Sequence, residues 1–130
     1  MLVAEDDLFQ RLALLDFMST CKFNTVEAEN GRIALEEMRK LTNDFDLVLL
    51  DLMMPEMNGY EVLAAMKDDP KLREIPVVVM SATDSQDSVS QCLQLGALDY
   101  LVKPIRMQEC RALTQKMKYR RKPQQIADTD

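Results

Sequence analysis

The chain has 130 residues, 47% of them hydrophobic and 29% charged, which suits one domain built on a single core and argues against wholesale disorder. The net charge is −6, and the one basic run, Lys116–Lys122, sits at the end of an acidic body, so direct nucleic-acid binding by this domain is not expected. Histidine is absent, which excludes Ser-His-Asp and Cys-His catalysis and His-ligated zinc and leaves carboxylates, hydroxyls, lysine or a metal for any chemistry.

Strand and helix periods alternate along the chain. Leu2-Val3-Ala4 is a short apolar run that ends in Glu5-Asp6-Asp7. Leu8, Leu12, Leu15 and Met18 recur at helical spacing and predict a first helix over 8–21. Asn24 to Ala28 alternates as a strand, Asn30-Gly31 breaks it, and Ile33, Ala34, Met38 and Leu41 mark a second amphipathic helix. Leu47 to Leu50 is continuously apolar, as a parallel strand covered on both faces should be.

After Asp51, Pro55 and Asn58-Gly59 mark a turn-rich loop, and Val62, Leu63 and Met66 predict a helix over 60–67. Val77 to Met80 repeats the fully apolar strand pattern. Val89, Cys92 and Leu93 mark a helix that stops at Gly96, Tyr100 to Val102 form a fifth strand, and a last helix runs from Met107 to about Arg121. One folded domain over 1–122 and a frayed tail over 123–130 are expected. Cys21, Cys92 and Cys110 are widely spaced and odd in number, so they read as small core hydrophobes in a reducing compartment. No stretch approaches the roughly 18 apolar residues of a membrane span, and a cytoplasmic location is expected, or a nuclear one in a eukaryote.

Five strands alternating with five helices predict an α/β fold, a doubly wound (flavodoxin-like) five-stranded parallel sheet. In such sheets ligands bind at the carboxyl ends of the strands. Glu5-Asp6-Asp7, Asp51, Ser81 and Lys103-Pro104 all fall at those ends. Each alone is unremarkable: an Asp is often a helix cap, a Ser a turn residue, a Lys a solvated charge. Together they describe clustered carboxylates that need a hard cation, with Mg²⁺ the best match to an all-oxygen donor set and Mn²⁺ its substitute, and a lysine and hydroxyl suited to a phosphoryl group.

These residues resemble the receiver domain of two-component response regulators. The likeness rests on VAEDD, LLDLMMPEMNGYE, VVVMSA and GALDYLVKP, in the family's order. The resemblance implies strand order 2-1-3-4-5 and Asp51 as the phosphoacceptor. It implies Mg²⁺ held by Asp6, Asp51 and the Met53 backbone carbonyl, with Glu5 acting through water. Ser81 and Lys103 would contact the phosphoryl oxygens, Pro104 would follow Lys103 through a bond commonly cis, and Tyr100 would be the aromatic switch. The implied function is a phosphorelay switch, not an enzyme beyond its own phosphorylation and dephosphorylation. Its donor would be a sensor histidine kinase or histidine phosphotransfer protein. Phosphorylation would alter the surface of helix 4, strand 5 and helix 5, read by an output domain or protein or by a second copy in a homodimer. The chain is expected to be either a stand-alone regulator or a receiver excised from a longer one.

Two other readings stay open. QCLQLGALDYLVKPIR and the basic run after it resemble plant-type pseudo-response regulators, binding modules that usually replace the phosphoacceptor, although Asp51 is retained here. A haloacid-dehalogenase-like phosphohydrolase would also use an aspartyl nucleophile, but it usually carries a second Asp two residues on, where this chain has Met53.

Overall fold

The computed structural model describes residues 1–40 and 42–117. Their order is β1 (Leu2–Ala4), α1 (Leu8–Thr20), β2 (Val26–Ala28), α2 (Gly31–Arg39), β3 (Val48–Asp51), α3 (Gly59–Lys67), β4 (Val77–Ser81), α4 (Gln86–Gln94) and β5 (Asp99–Val102). A fifth helix, α5, is described over residues 107–117. Leu41, most of the basic run and the 123–130 tail lie outside the described residues. The strands form one parallel sheet in the order β2-β1-β3-β4-β5.

Side chains alternate across a strand, so a buried parallel strand feeds two cores at once. Val48 and Leu50 of β3, with Val77 and Val79 of β4, face α2, α3 and α4. Leu49, with Val78 and Met80, faces α1 and α5, where Leu14, Met18, Cys110, Leu113 and Met117 complete the second layer. Each such aliphatic side chain contributes about 1.5–3 kcal/mol by leaving water. No helix among the described residues is long and apolar enough to cross a membrane.

Two helices bury only part of their apolar pattern. In α1 the buried residues are Leu14 and Met18, whereas Leu8 and Leu12 are 52% and 50% exposed. The helix is leucine-rich, so its period admits more than one stripe. The sheet selects the one running through Arg11, whose guanidinium has partners at the strand ends. In α4 the buried residues are Ser88 and Cys92, while Leu93 faces outward.

Helix starts are set by local chemistry. Asp7, Asn30, Asn58 and Ser85 each accept a hydrogen bond from a first-turn N–H, and Asn58 with Glu61 forms a reciprocal capping box. Gly96 follows α4 at φ 101°, a left-handed turn that glycine takes without strain. Gly59 has a different reason to lack a side chain. Its N–H donates to the Leu52 carbonyl at 2.9 Å, and a Cβ there would lie 2.6 Å from the Asp51 carbonyl oxygen and 2.8 Å from Leu52 Cα. Because both neighbours are backbone, Gly59→Ala is expected to destabilise the fold by about 2 kcal/mol or more in urea unfolding. An unchanged midpoint would show that the start of α3 does not press on the end of β3.

Candidate functional site

The strand order reverses between β1 and β3, and the crevice this opens lies at their carboxyl ends. Glu5 follows β1 directly and Asp51 ends β3, with Ala4 and Leu50 in register. The Glu5 N–H continues the ladder to the Ala28 carbonyl at 3.0 Å. Arg11 braces this turn from α1: one guanidinium nitrogen donates to the Glu5 carbonyl at 2.7 Å and another to Glu27 at 2.9 Å. Asp7 is committed to capping α1, accepting from the Gln10 N–H at 2.9 Å. Asp6, between them, is exposed.

Carboxylate oxygens of Glu5, Asp6 and Asp51 all lie within 4.8 Å of one another. Glu5 and Asp51 are buried. The Lys103 ammonium stands 2.9 Å from Glu5 Oε2 and 3.1 Å from Asp51 Oδ2, while Asp51 Oδ1 accepts the Met53 N–H at 3.2 Å. Glu5 Oε1 accepts the Asp7 N–H at 3.2 Å. Its Oε2 is paired with Lys103 by charge but lies off any hydrogen-bond direction. Burial pushes the Glu5 carboxyl up to about 7; Lys103 opposes this, and the Asp51 charge adds to it. Burial also works against the Lys103 ammonium, but its contacts with Glu5 and Asp51 outweigh that and leave its pKa raised.

Three carboxylates against one ammonium leave, when ionised, an excess matched by one divalent cation. The donors are all oxygen and one buried oxygen still lacks a hydrogen bond, so the residues present fit a hard ion such as Mg²⁺. Glu5, Asp6 and Asp51 each offer a carboxylate oxygen to such an ion. The Met53 side chain is exposed, while its backbone N–H is the group bonded to Asp51.

Ser81 ends β4, next to β5, and is buried; the Lys103 N–H donates to its carbonyl at 2.7 Å. The Lys103–Pro104 bond is cis. Ser81 Oγ accepts the Thr83 N–H at 3.2 Å. Tyr100 is set apart from the carboxylates: half-buried, its hydroxyl donates to the Thr83 carbonyl at 2.7 Å and lies 3.2 Å from Ser88 Oγ. Ser88 in turn contacts the Tyr60 hydroxyl. Arg11, Thr83, Ser88 and Tyr60 were not expected at the site. Only Arg11 had a sequence signal, a cation inside an apolar helical stripe.

The thiols take no part. Cys92 and Cys110 are buried and Cys21 half-buried, all free. Burial pushes the Cys92 thiol up and the Cys110 thiol to about 11, so both stay protonated core groups.

Residues 1–115 match the family model of the response regulator receiver domain. The chain is 38% identical over 114 residues to the two-component response regulator-like protein APRR7 of Arabidopsis thaliana, covering 88% of this chain and 16% of that protein. It is 36% identical over 105 residues to the two-component response regulator ORR11 of Oryza sativa subsp. indica, covering 81% of this chain and 71% of that one. The chain thus spans only a small part of the first relative and most of the second. Among solved structures it resembles the receiver domain of a signal transduction histidine kinase from Syntrophus aciditrophicus, with 30% identity, a TM-score of 0.79 and coverage of 89% and 86%. It also resembles the phosphorylated cyanobacterial phytochrome response regulator RcpA, with 27% identity, a TM-score of 0.77 and coverage of 90% and 89%.

The raised Glu5 pKa has a definite sign in stability. In metal-free protein the folded state holds the Glu5 proton up to about pH 7, whereas an unfolded glutamate releases it near 4.5. Glu5 therefore favours folding most at low pH, and that contribution is lost as pH rises through about 7. Chelator-treated Glu5→Gln should lose this part of the pH dependence and be more stable than the parent at pH 8. Parallel stability curves for the two proteins would contradict the assignment.

Proposed function

Because the chain belongs to the response regulator receiver domain family, we propose that it is a phosphorylatable signalling switch in which Asp51 takes a phosphoryl group from a phosphohistidine on a partner protein. What carries this reading is the buried Asp51 carboxylate at the end of β3, gathered with Glu5, Asp6 and Lys103 where the strand order reverses. The family is one of signalling domains rather than of enzymes.

In the transfer, an Asp51 carboxylate oxygen attacks phosphorus in line, and an acyl phosphate bond forms. The phosphorus–nitrogen bond of the donor breaks, and its electron pair returns to the imidazole. Asp6, Asp51 and the Met53 carbonyl would hold Mg²⁺, with Glu5 acting through water, and the ion would supply charge neutralisation at the phosphoryl oxygens. Lys103 hands its ammonium from the carboxylates to the incoming group, and Ser81 donates its hydroxyl proton to a phosphoryl oxygen. The added charge then biases the surface formed by α4, β5 and α5, with Tyr100 at its edge, toward an output partner, an attached domain or a second copy.

The approach of a donor protein finds support in α1. Leu8, Phe9 and Leu12 are exposed beside the acid cluster, Phe9 at 82%. An apolar groove of about 430 Å³ runs from Ala13 and Phe17 to Lys103 and Pro104. A helical phosphohistidine protein with an apolar flank fits that surface, and a small phosphodonor needs none of it. A binding module without phosphotransfer is the second reading, supported by the likeness to the response regulator-like APRR7.

Incubation with Mg²⁺ and acetyl phosphate, followed by intact-mass measurement, separates the two readings. One added phosphoryl group on the parent and none on Asp51→Asn is expected; none on either would favour the binding module. Phe9→Asp is expected to lower the rate with a phosphohistidine protein, relative to the rate with acetyl phosphate, by about tenfold. An unchanged ratio would remove α1 from the docking surface.

A further inference from the structure

The Tyr100 hydroxyl belongs to a longer chain of hydroxyls whose direction can be deduced. A carbonyl oxygen only accepts, so the Tyr100 O–H must donate to Thr83, 2.7 Å away. Having spent its proton, the Tyr100 oxygen can only accept from Ser88 Oγ at 3.2 Å. Ser88 has then spent its own proton and accepts from Tyr60. Three hydroxyls thus run head to tail from α3 through α4 to β5 and end on the Thr83 peptide. Ser88 is only 7% exposed, which keeps the middle of the chain out of water, where such bonds reinforce one another.

Thr83 reaches the site through its other backbone group, in the preceding peptide. The Thr83 N–H donates to Ser81 Oγ at 3.2 Å. Ser81 therefore uses an oxygen lone pair toward Thr83 and keeps its own proton to donate. Tyr100 thus holds by its carbonyl the residue whose N–H engages the Ser81 oxygen, the arrangement that leaves the Ser81 proton free. We propose that Tyr60 and Ser88 are positioning residues that hold Tyr100, the Thr83 backbone and Ser81 in the arrangement that receives a phosphoryl group at Asp51. This rests on the phosphoacceptor reading above.

Neither residue touches the carboxylates, so the relay links the surfaces of α3 and α4 to the site. By reciprocity, a partner that disturbs Tyr60 or Ser88 lowers the affinity for the phosphoryl group, and phosphorylation tightens the relay.

The test titrates beryllofluoride with Mg²⁺ into the wild-type protein, Tyr60→Phe, Ser88→Ala, their double variant and Ser88→Thr, following the ring carbon resonances of Tyr100 by NMR. Tyr60→Phe removes one oxygen and leaves the ring. It and Ser88→Ala are expected to raise the beryllofluoride Kd about three- to tenfold, the range of one net hydrogen bond. Both should shift the Tyr100 resonances of the free protein. The double variant should match Ser88→Ala, since both substitutions cut one chain. Ser88→Thr, which keeps the hydroxyl, should restore the wild-type Kd and Tyr100 resonances. Beryllofluoride binding with wild-type Kd and unmoved Tyr100 resonances in Tyr60→Phe and Ser88→Ala, whatever their melting temperatures, would overturn the relay and leave the phosphoacceptor reading standing. No binding to the wild type would overturn both.

Discussion

Two carboxylates, those of Glu5 and Asp51, are buried side by side, and the Lys103 ammonium between them makes this tolerable. Burying one ionised carboxylate without a partner costs several kcal/mol, and a second within reach adds its repulsion. Lys103 offsets part of that cost at both. The remainder shows in Glu5, whose carboxyl is pushed up to about 7. The architecture serves this contact. β1 and β3 pair in register, bringing the two acids together, and the Lys103 N–H bonded to the Ser81 carbonyl fixes where the lysine begins.

The strained electrostatics also account for the chemistry the site can support. A lysine already shared between two acids is poised to exchange one of them for a more strongly charged group. An acid cluster with surplus negative charge favours a hard cation. On the proposed function, receptivity to metal and to phosphoryl would share one origin: a cluster of like charges that the protein alone neutralises only in part. Rigid surroundings preserve that imbalance. Gly59 lets α3 start hard against the β3 terminus, and Arg11 braces the Glu5 turn from the other side.

Around this centre the protein places polar groups where the helical pattern called for apolar ones. Arg11 occupies the buried stripe of α1, and Ser88 that of α4, where Leu93 faces out instead. Both are satisfied by hydrogen bonds, as buried polar groups must be. Both also join elements distant in sequence: Arg11 ties α1 to β2, and Ser88 ties α4 to α3 and β5. The leucines displaced in α1 leave an apolar face beside the site.

The element order, the doubly buried β3 and β4, and the acids, serine and lysine at the strand ends were all legible in the sequence. Those features rest on local periodicity and on side-chain alternation, which act within a few residues. The stripe that α1 buries was not legible, because its leucines allow several and only the sheet beneath chooses. The roles of Arg11, Thr83, Ser88 and Tyr60 were not legible either, since each depends on partners brought close by strand pairing. Asp7 shows the boundary in one residue: the family resemblance set Asp6 apart from it, but only the structure shows Asp7 spent on capping α1 while Asp6 faces Glu5 and Asp51. The sequence by itself determined which chemical groups arrive at the edge of the sheet. Only the tertiary structure decided which of them meet, because contact depends on distances across strands that no local pattern encodes.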